Sequence, residues 1–179
     1  MHTTDALVLK KIDVGEHDAL YMLYTKERGK MRAIAAGIKK PAAKLRGHLE
    51  PLSLSRIRLV HGKNRERIIG ASLLDFWPGI RESGEKLALA HYMAHRIDRE
   101  CMEGQKDEAL WGMAQGNFTA LDRHADFSGA GSFFLGNFEN DLREVLGYGR
   151  ADAGAARVED SGMSAPEWGI MGAWESWMS

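Results

Sequence analysis

Cysteine occurs once in this 179-residue chain, at Cys101. That excludes an internal disulfide framework and any zinc ribbon built on four cysteines. Long apolar runs are missing as well: "AIAAGI" and "IIGASLL" fall far short of the roughly 20 residues that span a bilayer. The N-terminal "MHTTDALVLKK" has neither the charged start nor the apolar middle of a secretory signal, so a cytoplasmic address is expected. No Walker-type phosphate loop occurs. "GAGSFFLG" places Gly129, Gly131 and Gly136 ahead of a helix without a βαβ unit, which carries no dinucleotide signal. Internal repeats and low-complexity tracts are also absent. Net charge is nearly so, at −1.

That small total hides a division. Residues 1–80 hold 15 Lys and Arg against 8 Asp and Glu, a net of +7, and residues 81–179 hold 9 against 17, a net of −8. Between Arg28 and Leu49, "RGKMRAIAAGIKKPAAKLRGHL" carries Arg28, Lys30, Arg32, Lys39, Lys40, Lys44 and Arg46 without one acidic residue. An unmixed run of this kind needs a partner. Either one module prefers a polyanion, or two faces of one protein attract each other.

Period-2 patterning fills the first half. In "TDALVLKKIDV", Leu7 and Leu9 fall on one side and Ala6, Val8 and Lys10 on the other. "ALYMLYT" precedes the turn "KERGK", "KMRAIAAG" runs into Gly37, and "LSLSRIRLV" sets Ile57 and Leu59 against Arg56 and Arg58. "RERIIGASLLD" supplies a fifth strand. Between strands three and four, "PAAKLRGHLEP" reads as a helical turn opened by Pro41. Five short strands with such an insertion predict a small closed barrel in the OB arrangement.

After Pro78 the period becomes helical. "SGEKLALAHYMAHRIDRECM", opened by Ser83, places Leu87, Ala90, Tyr92, Met93, Ala94, Ile97 and Met102 on one stripe. "KDEALWGMAQGNFTALDRH" repeats the theme with Leu110, Met113, Phe118 and Leu121. "GSFFLGNFENDLREVLGYG" does so with Phe134, Leu135, Phe138, Leu142, Val145 and Leu146, closed by Gly147 or Gly149. The expected fold class is α+β: an N-terminal five-stranded OB-fold barrel over residues 1–79, then an all-α C-terminal domain over 80–149. Residues 150–179 read as a linker and a tail with Trp168, Trp174 and Trp177, which packs on the helical domain or on a partner.

Catalytic chemistry is thin. "HYMAH" sets His91 and His95 four apart with Asp98 three further on, a metal-compatible spacing without the Glu of a zinc hydrolase motif. The plainer reading is that His91 and His95 are half-buried helix residues, and Cys101 reads as a buried structural thiol. An enzyme is not expected, nor a cofactor. Binding chemistry is better represented, since phosphate recognition needs cations along a groove and single-strand stacking needs exposed rings. The rings available in the basic half are Tyr21, Tyr24, Phe76 and Trp77, and the two tyrosines alternate across one strand.

The order of these features resembles the bacterial recombination mediator RecO family. The likeness runs through a leading "LVL" strand, "GE.D" before strand two, "T...GK" at its turn and "A.G.KK......G.L.P". It continues through "LLDFWPGIRESGEKLALAHYM" and "NFENDLREVLGYG", covering residues 4–149. The resemblance implies a non-enzymatic DNA repair protein that binds single- and double-stranded DNA and anneals complementary strands. With RecR, such a protein assists RecA loading on DNA coated by single-stranded DNA-binding protein, whose C-terminal tail docks on the helical domain. It implies DNA-phosphate roles for Lys10, Lys11, Arg28, Lys30, Arg32, Lys39, Lys40, Lys44, Arg46, Arg56 and Arg58. Arg96, Arg99 and Arg123 are cations in the half that would take the tail. The family's zinc-binding cysteine cluster is absent here, so no metal is carried over. The address implied is the bacterial cytoplasm, on the nucleoid.

Three other readings stay open. A plain OB single-strand binder would lean on stacking rings more than cations. An enzyme would hold a metal between His91, His95 and Asp98. A scaffold would offer its basic run to an acidic protein.

Overall fold

The computed structural model describes residues 1–41, 43–62 and 65–149. The tail expected over residues 150–179 lies outside the described residues. Five strands, β1 (His2–Val14), β2 (Asp18–Thr25), β3 (Gly29–Ala35), β4 (Leu54–His61) and β5 (Glu66–Asp75), close a barrel in the order β1-β2-β3-β5-β4. All ladders are antiparallel except the short β3–β5 pairing, Ala33 with Glu66 and Ile34 with Arg67, which shuts the barrel. This is the OB topology that the strand count predicts.

Alternation in β1 does more than its pattern suggests. Ala6 and Val8 point into the barrel, where they meet Tyr21, Leu23, Ala33, Ile57, Leu59 and Ile68. Leu7 and Leu9 point outward, yet they are 1% and 4% exposed, because helices pack over that side. β1 is therefore buried on both faces at its centre.

The segment between β3 and β4 departs from the expected helical turn. Its hydrogen bonds step three residues at a time (Lys40 N to Gly37 O, Ala43 N to Lys40 O, Arg46 N to Ala43 O), and only Arg46–His48 forms a short 3-10 turn. The physical reason lies beneath it. Ile38 and Leu49 are fully buried in the barrel core with Leu45 packed against it, so the segment plugs the barrel as a chain of turns.

Helices begin directly after β5. Trp77, held at φ 47°, turns the chain into α1 (Pro78–Arg81), a single turn that the sequence period does not announce. Then follow α2 (Gly84–Glu100), α3 (Glu108–Arg123) and α4 (Gly131–Val145). Ser83 caps α2 as expected, accepting from Lys86 N at 3.4 Å, and Asp107 caps α3, accepting from Leu110 N at 2.9 Å. Lys86 is 6% exposed, its ammonium donating to the carbonyls of Asp122 and His124 at the C-terminal end of α3. Ala90, Met93, Ala94, Ile97, Leu110, Phe118, Leu121, Phe138 and Leu142 form the helical core. Met102, expected on the α2 stripe, lies past the helix end and is 67% exposed.

Candidate nucleic-acid interface

The basic run finds much of its charge balance inside the chain. Four of its seven cations meet carboxylates from elsewhere in the sequence. Arg28 Nη1 reaches Glu66 Oε1 at 3.1 Å, and Lys39 Nζ reaches Asp13 Oδ2 at 3.2 Å. Lys30 Nζ lies 2.9 Å from Asp98 Oδ1 and also donates to the Asp98 carbonyl, and Arg32 pairs with Glu103. Beyond the run, Arg56 grips Asp5 through Nε at 2.7 Å and Nη2 at 3.1 Å.

These pairs are not equivalent. Lys30 and Asp98 keep only 15% and 25% of their side chains exposed and tie β3 to the end of α2, a structural role. Arg28, Arg32 and Arg56 remain about half exposed, where water and salt screen an ion pair and leave it contributing little. Six of the eleven phosphate candidates have no side-chain hydrogen bond or ion pair among the described residues: Lys10, Lys11, Lys40, Lys44, Arg46 and Arg58. Lys40, Lys44 and Arg46 are exposed together on the plug segment. Arg58 is exposed on the outer face of β4, and Lys10 lies on β1 beside α2.

The usual OB ligand platform, the face of strands two and three, is partly occupied. The α2–α3 connection lies along β3: Gly104 N donates to Lys30 O at 2.9 Å, and Lys30 bridges to Glu103. Tyr24, on the outward side of β2, is fully buried and stacks on Trp111 with ring centroids 6.3 Å apart. Tyr21 sits inside the barrel, and Trp77 stacks on Phe118 at 4.9 Å. Burial pushes the hydroxyl pKa of both tyrosines above the normal phenol range. Three of the four candidate stacking rings are therefore core, and Phe76, 45% exposed, is the fourth.

The metal reading does not assemble. Asp98 is engaged by Lys30, and among the described residues no group of three or more His, Cys, Asp or Glu is placed to hold a metal ion. Cys101 is half-buried, with its thiol pushed up to about 11 by burial first and by neighbouring acids. In the helical half, Arg96 is held by Glu139 at 2.9 and 3.0 Å and by Glu100 at 2.6 Å, whereas Arg99 and Arg123 are exposed. No helix among the described residues is long and apolar enough to cross a membrane. Sequence pattern does not single out Arg67, an exposed cation on the outer side of β5, because "RERIIG" reads as mixed charge. Only the barrel ladder shows that Glu66 turns away to Arg28 and leaves Arg67 without an acidic partner among the described residues.

Fold and surface together define an OB-barrel protein whose outer strands and plug segment carry cations unpaired among the described residues, backed by a helical layer. Residues 1–77 match the family model described as the recombination protein O N terminal. Proteins named DNA repair protein RecO align along most of the chain. That of Pelotomaculum thermopropionicum is 31% identical over 149 residues, covering 83% of this chain and 56% of its own length. That of Syntrophomonas wolfei is 34% identical over 143 residues, covering 80% and 56%. That of Geobacter metallireducens is 30% identical over 145 residues, covering 81% and 58%. The chain belongs to the RecO family, and its OB barrel is the family's N-terminal domain. It spans about half the length of the curated relatives it matches.

Proposed function

We propose that the chain is a DNA-binding recombination mediator of DNA repair, without catalytic activity. In this reading it binds single- and double-stranded DNA and anneals complementary strands. With RecR, it assists RecA loading on DNA covered by single-stranded DNA-binding protein, whose C-terminal tail meets the helical half. It works in the bacterial cytoplasm, on the nucleoid. The observation that carries the reading is the family match over an OB barrel whose plug segment presents Lys40, Lys44 and Arg46, exposed and unpaired among the described residues. Annealing needs no nucleophile. It needs the phosphates of two strands screened on one surface while their bases stay free to pair. A binder that relies on base stacking is less well supported, because Tyr21, Tyr24 and Trp77 are interior.

The test is annealing of two complementary oligonucleotides across a salt series, with the wild type and a Lys40→Ala/Lys44→Ala/Arg46→Ala variant. The expected result is annealing that weakens with salt and falls at least about tenfold in the variant. Lys39→Ala serves as the control, since Lys39 already neutralises Asp13. A wild type that neither binds nor anneals DNA at low salt would overturn the reading.

A further inference from the structure

The barrel has a second outer face, formed by the start of β1 with β4 and β5, apart from the stretch of β1 where helices bury Leu7 and Leu9 and from β3, along which the α2–α3 connection lies. Register places Thr3 of β1, Arg58 of β4 and Gly70 of β5 in one row across it. The adjacent row is Asp5, Arg56 and Ser72, and on the other side of Arg58 comes Val60 paired with Arg67. Strand alternation turns all of these outward, because Ile57, Leu59 and Ile68 between them are buried inside the barrel.

Arg56 on this face is neutralised, but two further cations are not, among the described residues. The one carboxylate in these rows, Asp5, is held by both sides of the Arg56 fork. Glu66, next to Arg67 in sequence, points the other way, to Arg28 and His61. Arg58 and Arg67 are left exposed with no acidic partner among the described residues. The Arg58 guanidinium lies over Gly70: a Cβ there would stand 2.6 Å from Nε and 2.8 Å from Nη2, and the flexible side chain would have to move aside. A planar guanidinium lying over a β-surface, with a second one row away and the exposed Thr3 and Ser72 on the same face, offers phosphates of a nucleic-acid backbone charge and hydrogen bonds together.

We propose that the outer face of β1, β4 and β5 is the DNA track of the barrel, with Arg58, seated on Gly70, and Arg67 as its phosphate contacts. The inference rests on the DNA-binding reading above and assigns it a face. The β2–β3 face, where Lys30 and Arg32 already answer Asp98 and Glu103, is not the primary track.

The experiment is fluorescence anisotropy of a labelled oligo-dT strand titrated with the full chain across a salt series. It compares wild type, Arg58→Ala, Arg67→Ala, the double variant, Gly70→Ala and Arg32→Ala, with circular dichroism to confirm folding. Removing one phosphate contact should lower the log–log salt slope by about 0.7, and the double variant by about 1.4. Arg32→Ala should change the slope less than Arg58→Ala or Arg67→Ala does, and Gly70→Ala should keep the wild-type slope, because the flexible Arg58 side chain can move off the added Cβ. If the wild type binds but the double variant keeps its slope and affinity, this face is not the track, and the DNA reading survives without it. Should the wild type bind no DNA at low salt, the DNA reading falls and the track with it. If a poly-glutamate peptide displaces the strand and binds more tightly than DNA in an Arg58- and Arg67-dependent way, the occupant is an acidic protein and the proposal is wrong.

Discussion

At the scale of single residues, burial decides what chemistry a side chain keeps. Cys101 follows the end of α2, its backbone N–H donating to Ile97 O at 3.1 Å. Desolvation raises its thiol from 9.0 to about 11, outweighing the nearby Lys30 charge that favours the thiolate. At pH 8 the thiolate fraction is then about 100-fold smaller than in the unfolded chain. Alkylation by iodoacetamide at pH 8 should accordingly be about 100-fold slower in native protein than in urea. It should accelerate about tenfold per pH unit towards pH 11, because each unit multiplies the thiolate population until the pKa is reached. Equal rates in the folded and unfolded chain would show that Cys101 is open to water.

At the scale of elements, the α2–α3 connection and the start of β3 form one unit. Gly29, at φ 66°, lies so close to this connection that a Cβ there would meet the carbonyl oxygen of Gln105 at 1.8 Å. Neither backbone can yield cheaply, because Gly104 N, Lys30 and Arg32 fasten the same stretch. Gly29→Ala should therefore cost at least about 3 kcal/mol in urea unfolding, combining the left-handed penalty with a backbone clash. Gly15→Ala is the comparison: its φ is also positive, at 61°, but nothing lies within 4 Å of the added carbon, so about 1–2 kcal/mol is expected. Similar losses at both sites would mean that the close packing of this connection on β3 does not exist in solution.

The same elements show what a one-dimensional reading reaches. Alternation in β1 to β5 and the three apolar stripes after Pro78 are local signals, so strand count, barrel class and the long helices were legible. Inside and outside were not always so. Tyr24 and Leu7 sit on the outward side of their strands, and only the helices arriving from far along the chain bury them. Tyr21 and Tyr24 alternate as expected, yet both sides of that strand prove to be core, which removes them as stacking platforms. The plug segment reads helical from Ala43 and Leu45, but its conformation answers to the barrel end that Leu49 must fill. In the site, residue types were legible and availability was not, because the carboxylates opposing Lys30 and Arg32 come from residues 98 and 103.

For the whole molecule, attraction between two faces of the one protein accounts for part of the charge split. The basic barrel attracts the acidic helical half through Lys30–Asp98 and Arg32–Glu103, and the cations left over are those on the plug and outer strands. Apolar packing joins the two halves more strongly. One core cluster takes Leu7, Leu9, Tyr24, Leu52 and Trp77 from residues 1–77 and sets them against α2, α3 and α4. Fully burying such side chains contributes about 1.5–3 kcal/mol each, so five are worth roughly 7–15 kcal/mol. A typical domain is stable by only about 5–15 kcal/mol in total. A fragment ending at residue 77 keeps the closed barrel ladder but loses most of that margin, and it exposes a continuous apolar surface to water. The fragment should give a poorly dispersed amide spectrum and bind a hydrophobic dye, whereas residues 1–149 should unfold cooperatively in urea. A well-dispersed spectrum from residues 1–77 alone would mean that the interior cluster of Ala6, Val8, Tyr21, Leu23, Ile57 and Leu59 suffices to hold the barrel, with the helices as an accessory layer.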